Sequence, residues 1–197
     1  MGLDSVELLM SIENKFGIRI ADEQAKKINT VQDLVDCVYK NITTHPTDQC
    51  LSQKVFYKVK NIIQESDIIN NKIEPDTVIS ELYSLSELRK NWSILEKRLD
   101  LKLPDMYAFD FNPNIGSSLK FLGHRTIKRN LPITQSTIKQ LIDWIISLNL
   151  EKLIDIQNIK NKYEVERIVC GIIHKNMGIP ISEIQVHHSI TNDLGID

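Results

Sequence analysis

Apolar residues recur every three or four positions along most of this chain, which is the spacing of a helix with one buried face. Residues that interrupt helices are scarce, since the chain has 7 Gly and 6 Pro. No stretch alternates apolar and polar residues convincingly enough to predict a strand. The pattern therefore predicts an all-α fold, with clear helices over residues 5–16, 53–65, 86–99, 136–149 and 163–177, a weaker one over 22–28, and one that begins after Thr30.

The first helix carries the fullest set of local signals. Its predicted buried face comprises Val6, Leu9, Met10, Ile12 and Phe16. Asp4, with Glu7 three residues later, has the spacing of an N-cap with a capping box, and Gly17 is placed to end the helix. We therefore expect the helix to begin at Asp4 and to pack through this face.

Two stretches lack the helical period. Residues 43–51 (TTHPTDQCL) are polar around a proline and predict a linker. Residues 104–132 contain three prolines and form the longest irregular region. An irregular segment of that length indicates either a functional loop or disorder.

Composition narrows the class of protein. The 197 residues include 24 Lys and Arg against 26 Asp and Glu, which gives no overall attraction to nucleic acid or to an anionic membrane. The three cysteines have no CxxC spacing and predict reduced thiols. No run approaches the length of a membrane span, and Asp4 and Glu7 interrupt the first apolar run, so no signal peptide is predicted. We expect a soluble, cytoplasmic protein that binds neither nucleic acid nor membrane.

The two ends of the chain carry pieces of one motif. Residues 6–40 read VELLMSIENKFGIRIADEQAKKINTVQDLVDCVYK, and residues 163–197 read YEVERIVCGIIHKNMGIPISEIQVHHSITNDLGID. Together they resemble the acyl and peptidyl carrier proteins, four-helix bundles that bear a 4′-phosphopantetheine arm on a serine. The first piece is similar to the part of a carrier that follows this serine, and the second is similar to the part that precedes it.

The two pieces occur in reverse order, which suggests a circular permutation. Neither piece can bury its apolar stripe alone. We therefore expect residues 1–45, the second to fourth helices of a carrier-like bundle, to join residues 160–197, its first helix and loop. The termini of compact domains often lie close together, which makes such a permutation tolerable. Pairing between chains would instead give a terminus-swapped dimer or a head-to-tail assembly.

The segment between these pieces, residues 52–150, resembles a second, degenerate carrier domain with an irregular insert at 104–132. Where the family motif has Asp-Ser, this segment has Leu85 before Ser86. The acidic residue of the motif is therefore missing. We expect no arm on Ser86 or on Ser84.

The resemblance leaves two positions open for the arm. Asp4 and Ser5 supply the acidic residue and the serine of the family motif, so Ser5 is a candidate attachment site. When VELLMSIENKF is aligned with the family without gaps, Gly2 falls on the arm position and Ser5 lies three positions later. In that register Ser5 is an ordinary residue of the first helical turn, and the arm position has no side-chain oxygen.

The function implied by the resemblance depends on this choice. A phosphopantetheinyl transferase would add the 4′-phosphopantetheine arm to Ser5. The arm would then hold an acyl or aminoacyl thioester and present it to acyl-transferring or synthase enzymes, as in fatty acid or polyketide biosynthesis. Without an arm, we expect a cofactor-free scaffold that binds a protein partner. No Ser-His-Asp arrangement and no glycine-rich phosphate loop indicate catalysis, so we do not expect an enzyme.

Two pairs of residues outside the motif have plainer interpretations. His187 and His188 have no third ligand nearby in sequence and are expected at the surface, without a metal. Trp92 and Trp144 lie on apolar stripes and are expected in the core.

The irregular insert holds a basic cluster of Lys120, Arg125, Lys128 and Arg129. A cluster of this kind is usually solvated, and we expect that here. A site that docks a partner or an anion is the alternative.

Overall fold

A computed structural model describes residues 2–65, 72–112, 118–121 and 125–197, with the backbone alone over 118–121 and 125–128. Helices make up most of its secondary structure: α1 (Leu3–Phe16), α2 (Asp22–Ala25), α3 (Val31–Asn41), α4 (Leu51–Gln64), α5 (Ile79–Leu82), α6 (Leu85–Leu99), α7 (Ala108–Phe111), α8 (Ile138–Leu148), α9 (Leu150–Leu153) and α10 (Lys162–Met177). Short 3-10 turns cover Ile133–Gln135, Ile156–Asn158 and Ile181–Glu183. The predicted helical class is confirmed.

One small hairpin departs from the helical prediction. β1 (Ser118–Phe121) pairs antiparallel with β2 (Arg125–Lys128), within the segment predicted to be irregular. The expectation that the chain holds no strand was wrong at this point. Strands of four residues are too short for an apolar alternation to stand out from a loop.

The described chain falls into two compact units. The first, which we call the terminal unit, comprises Met1–Thr47, Ser118–Arg129 and Leu150–Asp197. The second, the central unit, comprises Asp48–Ser117 and Asn130–Asn149. Both ends of the chain therefore contribute to a single unit.

In the terminal unit, α10 packs against both α1 and α3 of the same chain. Thr30 begins α3 as predicted: its hydroxyl accepts the N–H of Asp33 at 3.1 Å, and the Asp33 carboxylate accepts the N–H of Thr30 at 2.9 Å. This reciprocal pair satisfies two backbone donors that a helix start leaves free. Aliphatic side chains from all three helices fill the core, including Leu8, Ile12, Leu34, Val38, Val165 and Ile168.

α1 differs from the prediction at its start and on its buried face. Its N-cap is Gly2, so Asp4 lies inside the first turn and does not cap the helix. The buried residues are Ser5, Leu8 and Ile12, whereas Val6 and Met10 are exposed. The predicted face was correct at Ile12 and wrong at Val6 and Met10, because α1 carries apolar residues on two sides and periodicity alone does not identify the side that meets α10.

In the central unit, α4 packs against α6 and α8. Trp92 and Trp144 are buried as predicted, and the indole N–H of Trp92 donates to the carbonyl of Pro104 at 3.0 Å. The helix predicted over 136–149 is observed at Ile138–Leu148, with Thr137 as its N-cap. Among the described residues, no helix has the length and apolarity that crossing a bilayer requires.

Candidate functional site

The residues singled out by the resemblance lie at the start of α1, next to the last residue of the chain. The N–H of Ser5 donates to the backbone oxygen of Asp197 at 2.7 Å. This bond satisfies one of the four N–H groups that the first turn of a helix leaves without a partner within the helix. The start of α1 is therefore completed by a residue from the other end of the chain.

Gly2 has a close neighbour that leaves no room for a side chain. A Cβ at this position would lie 2.8 Å from the carbonyl carbon of Asp197 and 2.9 Å from both its Cβ and its oxygen. Non-bonded carbons repel strongly at that separation. Any other residue at Gly2 therefore requires Asp197 to shift.

Ser5, the candidate attachment residue, is the third residue of α1 and only 9% exposed. Asp4, its proposed acidic partner, is half-buried. A transferase must reach the hydroxyl that it modifies, and at Ser5 the protein covers most of that surface. Gly2, at the N-cap, holds the outermost position of the helix start.

Backbone hydrogen bonds hold the segment that ends at Asp197 against the start of α3. They join Ile190 N–H to Asn29 O at 2.9 Å, Val31 N–H to His188 O at 3.0 Å and Gln32 N–H to Val186 O at 2.7 Å. Leu194 and Ile196 are fully buried along the same segment. The position of Asp197 is therefore fixed by tertiary contacts that no local sequence signal reveals.

The two histidines of this segment differ in exposure. Their rings meet edge to face, with centroids 4.9 Å apart, and His187 is exposed as expected. His188 is half-buried, and its Nδ1 has no hydrogen-bond partner among the described residues. Burial lowers the pKa of His188, the neighbouring His187 lowers it further, and Asp193 opposes both effects. Within the described residues, no three potential ligands come together as a metal site.

The basic cluster expected to be solvated includes one residue that is not. Arg129 is buried against Glu183, with its Nε 3.2 Å from Oε1 and only 7% and 4% of the two side chains exposed. The prediction of a solvated residue was therefore wrong for Arg129. The side chains of Lys120, Arg125 and Lys128 lie outside the described ones.

α1 presents an exposed apolar face, although two of its residues, Val6 and Met10, were predicted to lie in the core. Leu3 is 73% exposed, Met10 55% and Val6 40%, and the exposed Glu7 lies among them. Their spacing of three and four residues places them on one side of the helix, opposite Leu8 and Ile12. Exposed apolar residues grouped in this way mark an interaction surface. We call Leu3, Val6, Glu7 and Met10 the α1 face.

The serines at the start of α6 have a different setting. Ser84 is the N-cap of this helix, and its hydroxyl donates to Glu87 Oε2 at 2.6 Å and lies 3.1 Å from Ser86 Oγ. Both serines are exposed. The residue before Ser84 is Tyr83 and that before Ser86 is Leu85, so neither has the acidic neighbour of the family motif.

Comparison with known proteins gives partial matches to acyl carrier proteins. The chain is 50% identical over 40 residues to the acyl carrier protein of Thermosynechococcus vestitus, which is 20% of this chain and 49% of that protein. It is 58% identical over 36 residues to that of Chloroherpeton thalassium, 18% of this chain and 45% of the relative. It is 55% identical over 38 residues to that of Buchnera aphidicola subsp. Acyrthosiphon pisum, 19% of this chain and 48% of the relative.

These matches establish a region that is similar to acyl carrier proteins and extends over about a fifth of the chain. The chain spans about half the length of the curated relatives it matches. No family model matches it, and no solved structure does. The relatives are carriers by name, which agrees with the expectation of a protein that is not an enzyme.

Proposed function

We propose that this protein is an acyl-carrier-like scaffold that presents a carrier docking surface to partner enzymes without bearing an arm on Ser5. The observation that carries the proposal is the start of α1, where Gly2 occupies the N-cap and Ser5 is covered inside the first turn. Gly2 also falls on the arm position when residues 6–16 are aligned with the family without gaps. A glycine has no oxygen to which the arm could be attached.

The carrier bundle in this proposal consists of residues 1–45 together with 160–197, a permuted order of the family's helices. It is supported by the packing of α10 on α1 and α3 of the same chain and by the hydrogen bond from Ser5 to Asp197. The matched segments, each 45–49% of a carrier protein, support a carrier-like region in the chain. Residues 52–150 would be the second, degenerate carrier-like domain, with no arm on Ser84 or Ser86.

The docking surface in this proposal is the α1 face. Three exposed apolar side chains around one carboxylate give a partner both apolar contact and a charge to orient against. The partners would be the acyl-transferring and synthase enzymes that recognise carriers. All three cysteines are free thiols, which suits a reducing compartment, and we place the protein in the cytoplasm.

Intact mass after incubation with coenzyme A and a promiscuous phosphopantetheinyl transferase tests the proposal. We expect the unaltered chain and a Ser5→Ala control to keep their masses. A Gly2→Ser variant places a hydroxyl at the N-cap of α1 and is expected to gain one arm once Asp197 shifts to make room for the new side chain.

Each other result decides against part of the proposal. A gain of one arm by the unaltered chain, lost in Ser5→Ala, would establish the alternative function: an acyl carrier that holds a thioester on Ser5. A Gly2→Ser variant that remains unmodified would contradict the register in which Gly2 replaces the serine. A far-ultraviolet circular dichroism spectrum shows that each variant is folded before its mass is interpreted.

A further inference from the structure

Helix α6 of the central unit carries the opposite charge to α1. Residues 85–99 contain four basic and two acidic residues, whereas residues 3–16 contain one basic and three acidic residues. The two helices have similar lengths, 15 and 14 residues. Their net charges are therefore +2 and −2.

The exposed side of α6 combines this charge with an apolar residue. Lys90, Ile94 and Lys97 follow one another at spacings of four and three, which places them on one side of the helix. Ile94 is 42% exposed, and both lysines are exposed. Neither lysine forms an ion pair with a described residue. We call Lys90, Ile94 and Lys97 the α6 face.

The α1 face has the complementary pattern. Leu3, Val6 and Met10 offer an apolar surface, and Glu7 offers a carboxylate that has no ion-pair partner among the described residues. The α6 face therefore offers two cations beside one apolar residue, and the α1 face offers one anion among three apolar residues. Among the described residues, none of these charges has an ion-pair partner. Such surfaces attract one another over a Debye length and exclude water on contact.

We propose that the α6 face of one copy of this protein binds the α1 face of a second copy. Ile94 packs among Leu3, Val6 and Met10, and the two lysines, about one helical turn on either side of Ile94, approach Glu7. The two surfaces differ, so the association is head to tail and leaves one free face at each end. The inference rests on the proposed function only in using the α1 face. Self-association covers that face, so the assembled form does not dock a partner enzyme.

Sedimentation equilibrium of the full chain at low and high ionic strength tests the inference. We expect an average mass that rises with concentration at low ionic strength and returns to the monomer value at high ionic strength. Glu7→Lys, and separately the double variant Lys90→Glu/Lys97→Glu, place like charges opposite each other. Each is expected to weaken self-association about tenfold or more.

An equimolar mixture of the two variants is the decisive sample. Glu7→Lys supplies a basic α1 face that fits the acidic α6 face of the double variant, and the reverse pairing also matches, so self-association is expected to return. Glu23→Lys on α2 makes the same charge change at another exposed site and is the matched control, expected to behave as the unaltered chain.

Several results would overturn the inference. A chain that stays monomeric at all concentrations has no such contact. Loss of association in Glu7→Lys alone, with the double variant unaffected, would indicate that two α1 faces meet. Association that ignores ionic strength and both variants would indicate exchange of terminal segments instead. None of these results alters the intact-mass test, so failure here is distinguishable from failure of the proposed function.

Discussion

Helices α1 and α6 end in the same way but begin differently. Each ends at a residue in the left-handed conformation, Gly17 with φ 64° and Asp100 with φ 52°. An apolar-polar-apolar connector follows in both cases, residues 18–20 and 101–103. At their starts, Gly2 lies against Asp197, whereas Ser84 is an exposed N-cap.

The difference separates the part of a helix that its own sequence determines from the part that a distant segment determines. The helix end is determined locally by one residue and its connector, so it repeats in both units. The helix start is determined by which distant segment lies against it. That segment leaves no room for a side chain at Gly2, whereas Ser84 is exposed.

The largest expected effect on the free energy of unfolding comes from breaking an ion pair, one in each unit. Glu183 pairs with Arg129 in a buried setting, and Glu65 pairs with Arg98 in an exposed one. Glu183→Gln removes the carboxylate that pairs with the buried Arg129 guanidinium and is expected to lower the free energy of unfolding by about 3–5 kcal/mol. Glu65→Gln is expected to cost about 1 kcal/mol or less, since solvent screens that pair.

Urea denaturation of both variants measures this contrast. Equal losses of stability would contradict the burial that separates the two pairs. The double variant Arg129→Met/Glu183→Leu removes both charges and is expected to regain most of the stability that Glu183→Gln loses.

Substitutions at the left-handed residue that ends each helix are expected to change stability less than the ion-pair variants do, and in opposite directions in the two units. Gly17→Ala is expected to cost about 1 kcal/mol, because nothing lies within 4 Å of its added Cβ and only the left-handed backbone opposes it. Asp100→Gly relieves the same strain in α6 and is expected to stabilise by less than about 1 kcal/mol. Thermal unfolding of the two variants compares them, and a neutral Gly17→Ala would contradict the assigned conformation.

The smallest expected effect is a pH dependence of the free energy of unfolding that arises from one histidine of the terminal unit. The pKa of His188 is lowered in the folded state, so the unfolded chain binds the proton more tightly. Stability is therefore expected to fall as the pH drops below about 6.5 towards the folded pKa. His188→Gln removes the group whose pKa is lowered and should reduce this slope. A slope that survives in His188→Gln would assign it to another group.

The sequence predicted most helices because their signals are local. The helix expected over 86–99 is observed at Leu85–Leu99, and that expected over 163–177 at Lys162–Met177. Apolar period and the spacing of glycines and prolines suffice for bounds of this accuracy. Thr30 was identified as a cap for the same reason, since its partner Asp33 lies three residues away.

The candidate site was harder to predict because its key contact joins the two ends of the chain. Asp4 has the sequence of an N-cap, yet Gly2 takes that role where Asp197 approaches. Val6 and Met10 were assigned to the core because both sides of α1 are apolar. Choosing between those sides requires knowing where α10 packs, which periodicity does not report.

The central claim is that the two terminal segments form one bundle within a single chain. Isotope-filtered nuclear Overhauser spectra of a mixture of labelled and unlabelled protein test it most directly. At high ionic strength, we expect methyl contacts between α1 and α10 in uniformly labelled protein and none between labelled and unlabelled chains. Contacts between α1 and α10 that appear across chains in the mixed sample would contradict the claim.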